Sequence, residues 1–122
     1  DQDGFLYIVD RVKDMVITGG ENVFTTEVEN AVGSHPAVQD VSVIGIPHEE
    51  WGEAVHAIVI LAPDQAATES DIIAHCRELI AGYKLPKSIT FRDEPLPLSG
   101  AGKVLKTELR KPYWEELDRQ IN

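Results

Sequence analysis

The chain has 122 residues, a hydrophobic fraction of 43% and a net charge of −10. This length and composition suit one soluble domain with a single modest core, and the absence of an apolar run of about 18 residues excludes a membrane span. The excess of 21 acidic over 11 basic residues repels phosphodiester backbones, so we expect no nucleic-acid partner.

Cysteine and histidine content bears on compartment and chemistry. Cys76 is the only cysteine, which excludes an internal disulfide and fits a reducing cytoplasm. The four histidines show none of the paired spacings of a zinc site, so no metal site is predicted. The polar start Asp1–Gly4 lacks an initiator methionine and is not a signal peptide, so we expect a piece of a longer protein.

The first predicted elements are a ribbon and a helix. Two short β-type runs, Phe5–Val9 and Met15–Thr18, flank a charged turn and predict a two-stranded ribbon that Gly19 ends. Thr26 begins a segment with capping-box spacing and predicts the start of a helix that Gly33 ends. The predicted apolar stripe of this helix is Val28, Ala31 and Val32.

Two strands and a second helix follow. Val38–Ile46 is rich in β-branched residues, and Ala54–Leu61 is nearly all apolar, which predicts a strand buried on both faces. Thr68–Asp71 has capping-box spacing and predicts a helix start, with Gly82 as the left-handed residue after the helix. The predicted apolar positions of this helix are Ile72, Ile73, Cys76, Leu79 and Ile80.

The last elements complete the fold prediction. Ser88–Phe91 is a short strand, Pro95–Gly102 is a loop, and a final helix begins near Leu105, with Pro112 starting a fresh turn. The predicted fold is α+β: a small three-stranded sheet flanked by helices, with an N-terminal two-stranded β ribbon.

The loop that ends at Lys103 is the first candidate site. Gly100 and Gly102 allow the backbone to approach a ligand, and Lys103 could reach a phosphate or a carboxylate. It is not a Walker P-loop, because Pro97 and Val104 stand where that motif needs Gly and Ser or Thr. On spacing alone, a flexible surface loop is the simpler explanation.

Three further features are weak signals by themselves. The Gly19-Gly20 pair could be a plain turn or a place where the backbone meets a ligand. Trp51 lies in a polar loop, where its side chain could equally fill a small local core or remain exposed and stack on a ligand. Tyr83 lies beside two lysines, which suits stacking on a purine and pairing with phosphate, although a solvated connector is the simpler explanation.

The order of these features carries a resemblance. The segments concerned are Asp3–Tyr7, Asp10–Asp14, Gly19–Asn22, Glu27–Glu29, Trp51–Glu53, Tyr83–Lys87 and Pro97–Lys103. In this order they resemble the C-terminal domain of the adenylate-forming acyl-CoA synthetase family, in its fatty-acyl or aryl-acid CoA ligase branch. The resemblance covers essentially the whole chain.

The resemblance implies a two-step reaction. A carboxylic acid and Mg-ATP give an acyl-adenylate and pyrophosphate, and the thiol of CoA then displaces AMP. It also implies that residues 1–13 are the end of the N-terminal domain, a linker and a hinge, and that residues 14–122 are the cap domain. The large N-terminal domain, which would be the partner of this chain, would hold Mg²⁺, most of the ATP and the acyl pocket, so the chain alone would be inactive.

Roles in the first half-reaction follow from matched positions. Lys103 matches the catalytic lysine, whose ammonium would offset the charge that builds up as carboxylate and α-phosphate meet. Arg11 matches a residue that contacts the adenylate ribose. Lys13 falls at the hinge, where a few backbone torsions absorb a domain rotation.

Roles in the thiol step follow in the same way. Gly19 and Gly20, with Glu21 in the same motif, match the wall of a tunnel for the pantetheine arm, and Trp51 matches an aromatic beside it. Leu85 stands where some relatives carry a basic residue, which puts a strong contact to the CoA 3′-phosphate in doubt. The positions that match contacts to the CoA nucleotide are Tyr83, Lys84 and Lys87.

Two alternatives stay open at this point. An adenylation domain that loads a carrier protein would use the same pantetheine arm, and a non-catalytic protein-binding module would need neither reaction. Fatty acids are the first expectation for the substrate and aromatic acids the second.

Overall fold

The computed structural model describes residues 15–98, 100, 102 and 104–121, the last four by their backbone alone. The strands are β1 (Met15–Thr18), β2 (Glu21–Phe24), β3 (Val38–His48), β4 (Gly52–Leu61) and β5 (Ser88–Phe91). The helices are α1 (Thr25–Gly33), α2 (Glu69–Arg77) and α3 (Lys106–Ile121), with a 3₁₀ turn at Gly82–Lys84. None of the helices in these residues is long and apolar enough to cross a membrane.

The described residues form one five-stranded sheet in the order β2-β1-β4-β3, with β5 parallel to β4. β3 and β4 make a long antiparallel hairpin, from Val38 opposite Leu61 to His48 opposite Gly52. The other edge of β4 is shared, because β5 pairs along residues 56–59 and β1 pairs at Gly52. The α+β fold is thus confirmed.

Apolar residues are buried on both faces of β4. On one face α1 and α2 cover Val55, Ala57 and Val59, and on the other face Leu96 and Leu109 pack with Ile58 and Ile60. A strand covered on both faces needs no polar alternation, which is why its sequence is a continuous apolar run. The predicted strand with two buried faces is therefore confirmed.

The predicted ribbon is only partly right. Met15–Thr18 is a strand, but it pairs through the Gly19-Gly20 turn with Glu21–Phe24, which the sequence analysis left outside any strand. This hairpin joins the main sheet through β4. The run Phe5–Val9 lies outside the described residues.

Two predicted helix signals are wrong in detail. Thr26 lies inside α1, whose N-cap is Phe24, although the predicted stripe Val28, Ala31 and Val32 is buried. Gly82 does not take a left-handed conformation after α2. The helix ends earlier, at Arg77, because Leu79 and Ile80 both donate their N–H groups to the Cys76 carbonyl and tighten the chain there.

Two other helix predictions have opposite outcomes. The capping box at α2 is confirmed, since Asp71 N–H donates to the Thr68 hydroxyl at 3.1 Å and Thr68 N–H donates to the Asp71 carboxylate at 3.0 Å. Pro112 does not start a fresh turn but lies inside α3. A proline φ is already helical, so the helix continues with the loss of one backbone hydrogen bond.

Candidate functional site

The Gly19-Gly20 turn is built from two left-handed residues. Their φ angles are +59° and +84°, and positive φ at both central residues defines the type I′ hairpin turn, whose twist matches that of the strands. Among the described residues, no atom lies within 4 Å of the position that a Gly20 Cβ would take. The tip of this turn is therefore a bare backbone surface that faces open space.

The fold places Trp51 against this turn. Gly19 N–H donates to the Trp51 carbonyl at 3.1 Å, and a Cβ at Gly19 would lie 3.6 Å from Cδ1 of the indole. The two residues are far apart in sequence, and they meet because β1 pairs with the start of β4 at Gly52. Two of the predicted tunnel residues are thus neighbours in the structure.

His48 supports the Trp51 ring. The two rings are stacked with centroids 3.9 Å apart and an interplanar angle of 6°. Nδ1 of His48 also accepts the N–H groups of Glu50 at 3.1 Å and Trp51 at 3.2 Å, which fixes the turn between β3 and β4. Trp51 is still 38% exposed, so it is not a closed core plug. The sequence analysis did not assign a role to His48.

Lys87 and Lys84 differ in their surroundings. The Lys87 ammonium lies 5.3 Å from the centroid of the Trp51 ring, within the range of a cation–π contact. The Lys84 ammonium lies 2.8 and 3.0 Å from the two carboxylate oxygens of Glu27 on α1. The hydrogen bonds to Glu27 raise the pKa of Lys84. Lys87 therefore lies beside the Trp51 ring, whereas Lys84 forms an ion pair with Glu27 on α1.

Tyr83 and Leu85 lie on either side of Lys84 but have opposite environments. Tyr83 is 43% exposed in the 3₁₀ turn, and the Lys84 ammonium is 5.6 Å from its ring centroid. Leu85 is buried in the core under α1 and α2. The phenol ring is thus available to a ligand, and the Leu85 side chain is not.

The loop before α3 is closed at its base. Leu98 and Val104 form an antiparallel bridge, and Leu105 N–H donates to the Pro97 carbonyl at 2.8 Å. Gly102 has a φ of +82°, a conformation that glycine adopts without strain. The predicted residues Arg11, Lys13 and Lys103 lie outside the described residues, so their roles stay predictions.

A buried polar cluster joins β4, β5 and α3. His56 is 3% exposed; its Nδ1 lies 2.6 Å from the Ser88 hydroxyl, and its Nε2 lies 2.9 Å from the Thr90 hydroxyl and 3.1 Å from that of Tyr113. Burial lowers the pKa of His56 to about 4. The imidazole is therefore neutral near pH 7 and acts as a hydrogen-bonding link between these elements.

Within the described part of the chain, no group of three His, Cys, Asp or Glu side chains is arranged to hold a metal ion. Cys76 is buried on α2, and burial raises the pKa of its thiol. A buried thiol with a raised pKa is a poor nucleophile, in agreement with its predicted place on the apolar face of the helix.

Comparison with known proteins gives consistent matches. The family described as AMP-binding enzyme C-terminal domain matches residues 27–103. Feruloyl-CoA synthase of an Amycolatopsis species is 44% identical over 113 residues, which are 93% of this chain and 23% of that protein. The fatty acid–[acyl-carrier-protein] ligase ScoC of Streptomyces coeruleorubidus is 40% identical over 122 residues, which are 100% of this chain and 23% of that protein.

A solved structure shows the same fold. A Mycobacterium tuberculosis fatty acyl CoA synthetase superposes with a TM-score of 0.78 at 44% identity, over 84% of this chain and 20% of that one. The chain thus spans less than a quarter of the length of the proteins that it matches.

Proposed function

The chain belongs to the AMP-binding enzyme C-terminal domain family, and we propose that it is the mobile cap domain of an ATP-dependent acyl-CoA synthetase. The complete enzyme would convert a carboxylic acid, ATP and CoA into acyl-CoA, AMP and pyrophosphate by way of an acyl-adenylate. Two of the relatives named above support this proposal, because one is named as a feruloyl-CoA synthase and the other as a fatty acyl CoA synthetase.

The proposal divides the work between two domains. A large N-terminal domain would hold Mg²⁺, the acyl pocket and most of the ATP, so the 122-residue chain would have no activity alone. Residues 1–13 would be the end of that domain and the linker, with Arg11 at the adenylate ribose and the hinge at Lys13. Residues 14–122 would turn about this hinge to present two different faces to the same active site. We place the enzyme in the cytoplasm.

Lys103 would serve the first half-reaction. A carboxylate attacking an α-phosphate brings two anions together, and an ammonium between them stabilises the transition state more than the separated reactants. The described residues on either side of the segment that carries Lys103 support the role, since Leu98 and Val104 form an antiparallel bridge.

The Gly19-Gly20 turn would serve the second half-reaction, and its geometry carries the proposal. A pantetheine arm is narrow, and a bare backbone beside an exposed indole offers it a path without side chains in the way. Glu21 directly follows the turn and is exposed. Lys87 beside Trp51 is the better candidate for a CoA phosphate contact than Lys84, because Glu27 already pairs with Lys84.

The two half-reactions test the proposal separately in the intact enzyme. ATP–pyrophosphate exchange that depends on a carboxylic acid reports adenylation, and thioester formation from presynthesised acyl-adenylate reports the thiol step. We expect both activities, with a panel of fatty and aromatic acids to identify the substrate and fatty acids as the first expectation. Failure of both reactions across the panel would leave the non-catalytic module as the better description.

A carrier-protein-loading enzyme is the second candidate. The relative ScoC is named as a ligase of fatty acids and acyl-carrier protein and matches 100% of this chain, and a carrier protein presents its thiol on the same pantetheine arm as CoA. Replacing CoA with a pantetheinylated carrier protein in the thioester assay separates the two. A CoA ligase would make thioester with CoA, and a carrier-loading enzyme would make it with the carrier.

A further inference from the structure

The hairpin that carries the Gly19-Gly20 turn is joined to the main sheet by few backbone contacts. Among the described residues, β1 pairs with β4 at one position, Thr18 opposite Gly52. The Gly19 N–H to Trp51 carbonyl bond extends this junction by one residue. The buried Val16 and Val23 anchor the hairpin in the main core, and a further directional contact to β4 would fix its register there.

Glu53 supplies that contact. Its carboxylate oxygen Oε1 accepts the backbone N–H of Ile17 at 2.9 Å, across 36 residues of sequence. Ile17 lies in β1 immediately before Thr18, and Glu53 lies in β4 immediately after Gly52. The side chain therefore continues the strand pairing where the two backbones diverge. A carboxylate accepting an N–H is a charge-assisted hydrogen bond and is stronger than a neutral one.

Gly45 makes room for this carboxylate. A Cβ at Gly45 would lie 2.7 Å from Oε2 of Glu53 and 3.3 Å from Cγ1 of Val16. Gly45 is buried in β3, opposite Val55, and the first atom that its Cβ would meet is the end of the flexible Glu53 side chain, so the carboxylate would be displaced. The missing side chain at Gly45 thus leaves the space from which Glu53 reaches β1.

We propose that Glu53 is a positioning residue for the thiol step, which it serves by holding β1 so that the Gly19-Gly20 turn stays against Trp51. This inference rests on the proposed function, in which the turn lines the path of the pantetheine arm. Glu53 itself would touch neither the thiol nor the acyl-adenylate. Loss of the Glu53 carboxylate would change the width of the pantetheine path, and it would leave adenylation, which uses the other face of the domain, intact.

Four variants of the intact enzyme separate this role from general stability. Glu53→Ala removes the acceptor, Glu53→Gln keeps a neutral acceptor of the same length, and Gly45→Ala displaces the carboxylate without changing it. Gly33→Ala is the matched glycine control, because its Cβ would make an ordinary contact of 3.7 Å with Val41.

The readouts are the KM for CoA in thioester formation, the rate of ATP–pyrophosphate exchange and hydrogen exchange of the peptide that contains Ile17. In Glu53→Ala and Gly45→Ala we expect the KM for CoA to rise by up to about tenfold, because the energy of the one charge-assisted hydrogen bond that positions the turn sets the upper limit of the effect. The rate of ATP–pyrophosphate exchange should stay within about twofold of that of the unmodified enzyme, because these variants affect binding along the thiol path alone. Glu53→Gln should restore most of the affinity, and Gly33→Ala should change neither reaction.

A double variant tests whether the two residues act together. If Gly45→Ala acts through the carboxylate, adding it to Glu53→Ala should raise the KM for CoA little further, since contacting residues are not additive. Full additivity would overturn the link between Gly45 and Glu53.

Hydrogen exchange distinguishes failure of this inference from failure of the proposed function. If protection of the Ile17 peptide from hydrogen exchange does not depend on Glu53, then Glu53 does not hold β1 and the inference is wrong, whichever reaction the enzyme performs. If protection falls but both half-reactions decline equally, Glu53 has a structural role only and the inference is overturned. If the unmodified enzyme forms no thioester while the Ile17 peptide still responds to Glu53→Ala, the proposed function fails, and the inference that rests on it is withdrawn with it.

Discussion

The Lys106 ammonium lies 2.8 Å from the Glu29 carboxylate, so the start of α3 is ion-paired with α1. The same Glu29 oxygen accepts the Val43 N–H at 2.9 Å. Val43 lies in β3, whose other edge pairs with β4, so Glu29 covers a backbone donor that the sheet leaves unpaired. Trp114 does the same for the Gly45 carbonyl, to which its indole N–H donates at 3.0 Å. α1 and α3 together close the free edge of β3.

The Glu29 contact predicts a large effect on stability. Glu29→Ala leaves the Lys106 charge and the Val43 N–H without this acceptor, and we expect the free energy of unfolding to fall by about 2–3 kcal/mol. Glu29→Gln keeps an acceptor and should cost less. Urea unfolding of the chain, followed by tryptophan fluorescence, measures both. Glu78→Ala, on an exposed residue just after α2, is the control, and an equal loss in that variant would contradict this role of Glu29.

Lys103→Ala should impair one half-reaction of the complete enzyme. Without the ammonium, charge that develops on the α-phosphate is no longer offset, and we expect adenylation to fall by a factor of about 10² or more. Thioester formation from presynthesised acyl-adenylate should be spared. Lys111→Ala, an exposed lysine on α3, is the matched control and should affect neither step. Equal loss of both steps in Lys103→Ala would refute the assignment.

Gly20→Leu should block the thiol step. A leucine side chain would stand on the bare surface of the turn, while ATP–pyrophosphate exchange should remain largely intact. Leucine also strains a backbone with a φ of +84°, so Gly20→Asn is needed beside it, because asparagine tolerates left-handed conformations. The asparagine side chain is nearly as large as that of leucine, so we expect Gly20→Asn to impair the thiol step as well, whereas a normal thiol step in this variant would attribute the leucine effect to backbone strain. Loss of ATP–pyrophosphate exchange in the leucine variant would show that the substitution had disturbed the whole domain and not the pantetheine path alone.

Lys87 and Lys84 form a matched pair for CoA binding. Lys87→Ala should raise the KM for CoA about fivefold to tenfold, the scale of one lost charge contact to phosphate. Lys84→Ala should leave that KM nearly unchanged, because its ammonium is paired with Glu27. Initial rates of thioester formation at varied CoA measure both. The reverse ranking would move the nucleotide contact to the Tyr83 side of the domain.

His56 predicts how stability depends on pH. Its pKa is about 4 in the folded chain, lowered by burial from an ordinary value of 6.5, so between these values the unfolded chain binds more protons. Stability is then full above pH 6.5 and falls as the pH is lowered, by about 2 kcal/mol at pH 5. His56→Gln cannot titrate and should show a flatter profile in urea unfolding. Parallel profiles for the two proteins would contradict the neutral, buried state.

Local signals predicted much of the fold. The capping box at Thr68 and the apolar run of β4 depend on neighbouring residues and on burial of both faces, so they are visible in sequence. β2 was missed because its segment Glu21–Phe24 begins with two polar residues and buries only Val23. Its strand character comes from the type I′ turn and from pairing with β1, neither of which hydrophobic periodicity reveals.

The site could be predicted less completely. Motif order placed the Gly19-Gly20 turn and Trp51 in one site, and the structure puts them in contact. The difference between the two lysines could not be predicted, because the partner of Lys84 lies 57 residues away. His48 and Glu53 were missed because each is an isolated polar residue beside a turn, and its role depends on a ring or a backbone group brought close by folding.

The two ion pairs of α1 have a mechanical consequence. Glu27 is tied to Lys84 ahead of β5, and Glu29 is tied to Lys106 at the start of α3. Two segments that lie on either side of β5 in the chain are therefore braced against one helix. If the domain turns during a reaction cycle, these ion pairs oppose a change in the spacing between the Tyr83 region and the start of α3. The flexibility that the motion requires is then expected outside these segments.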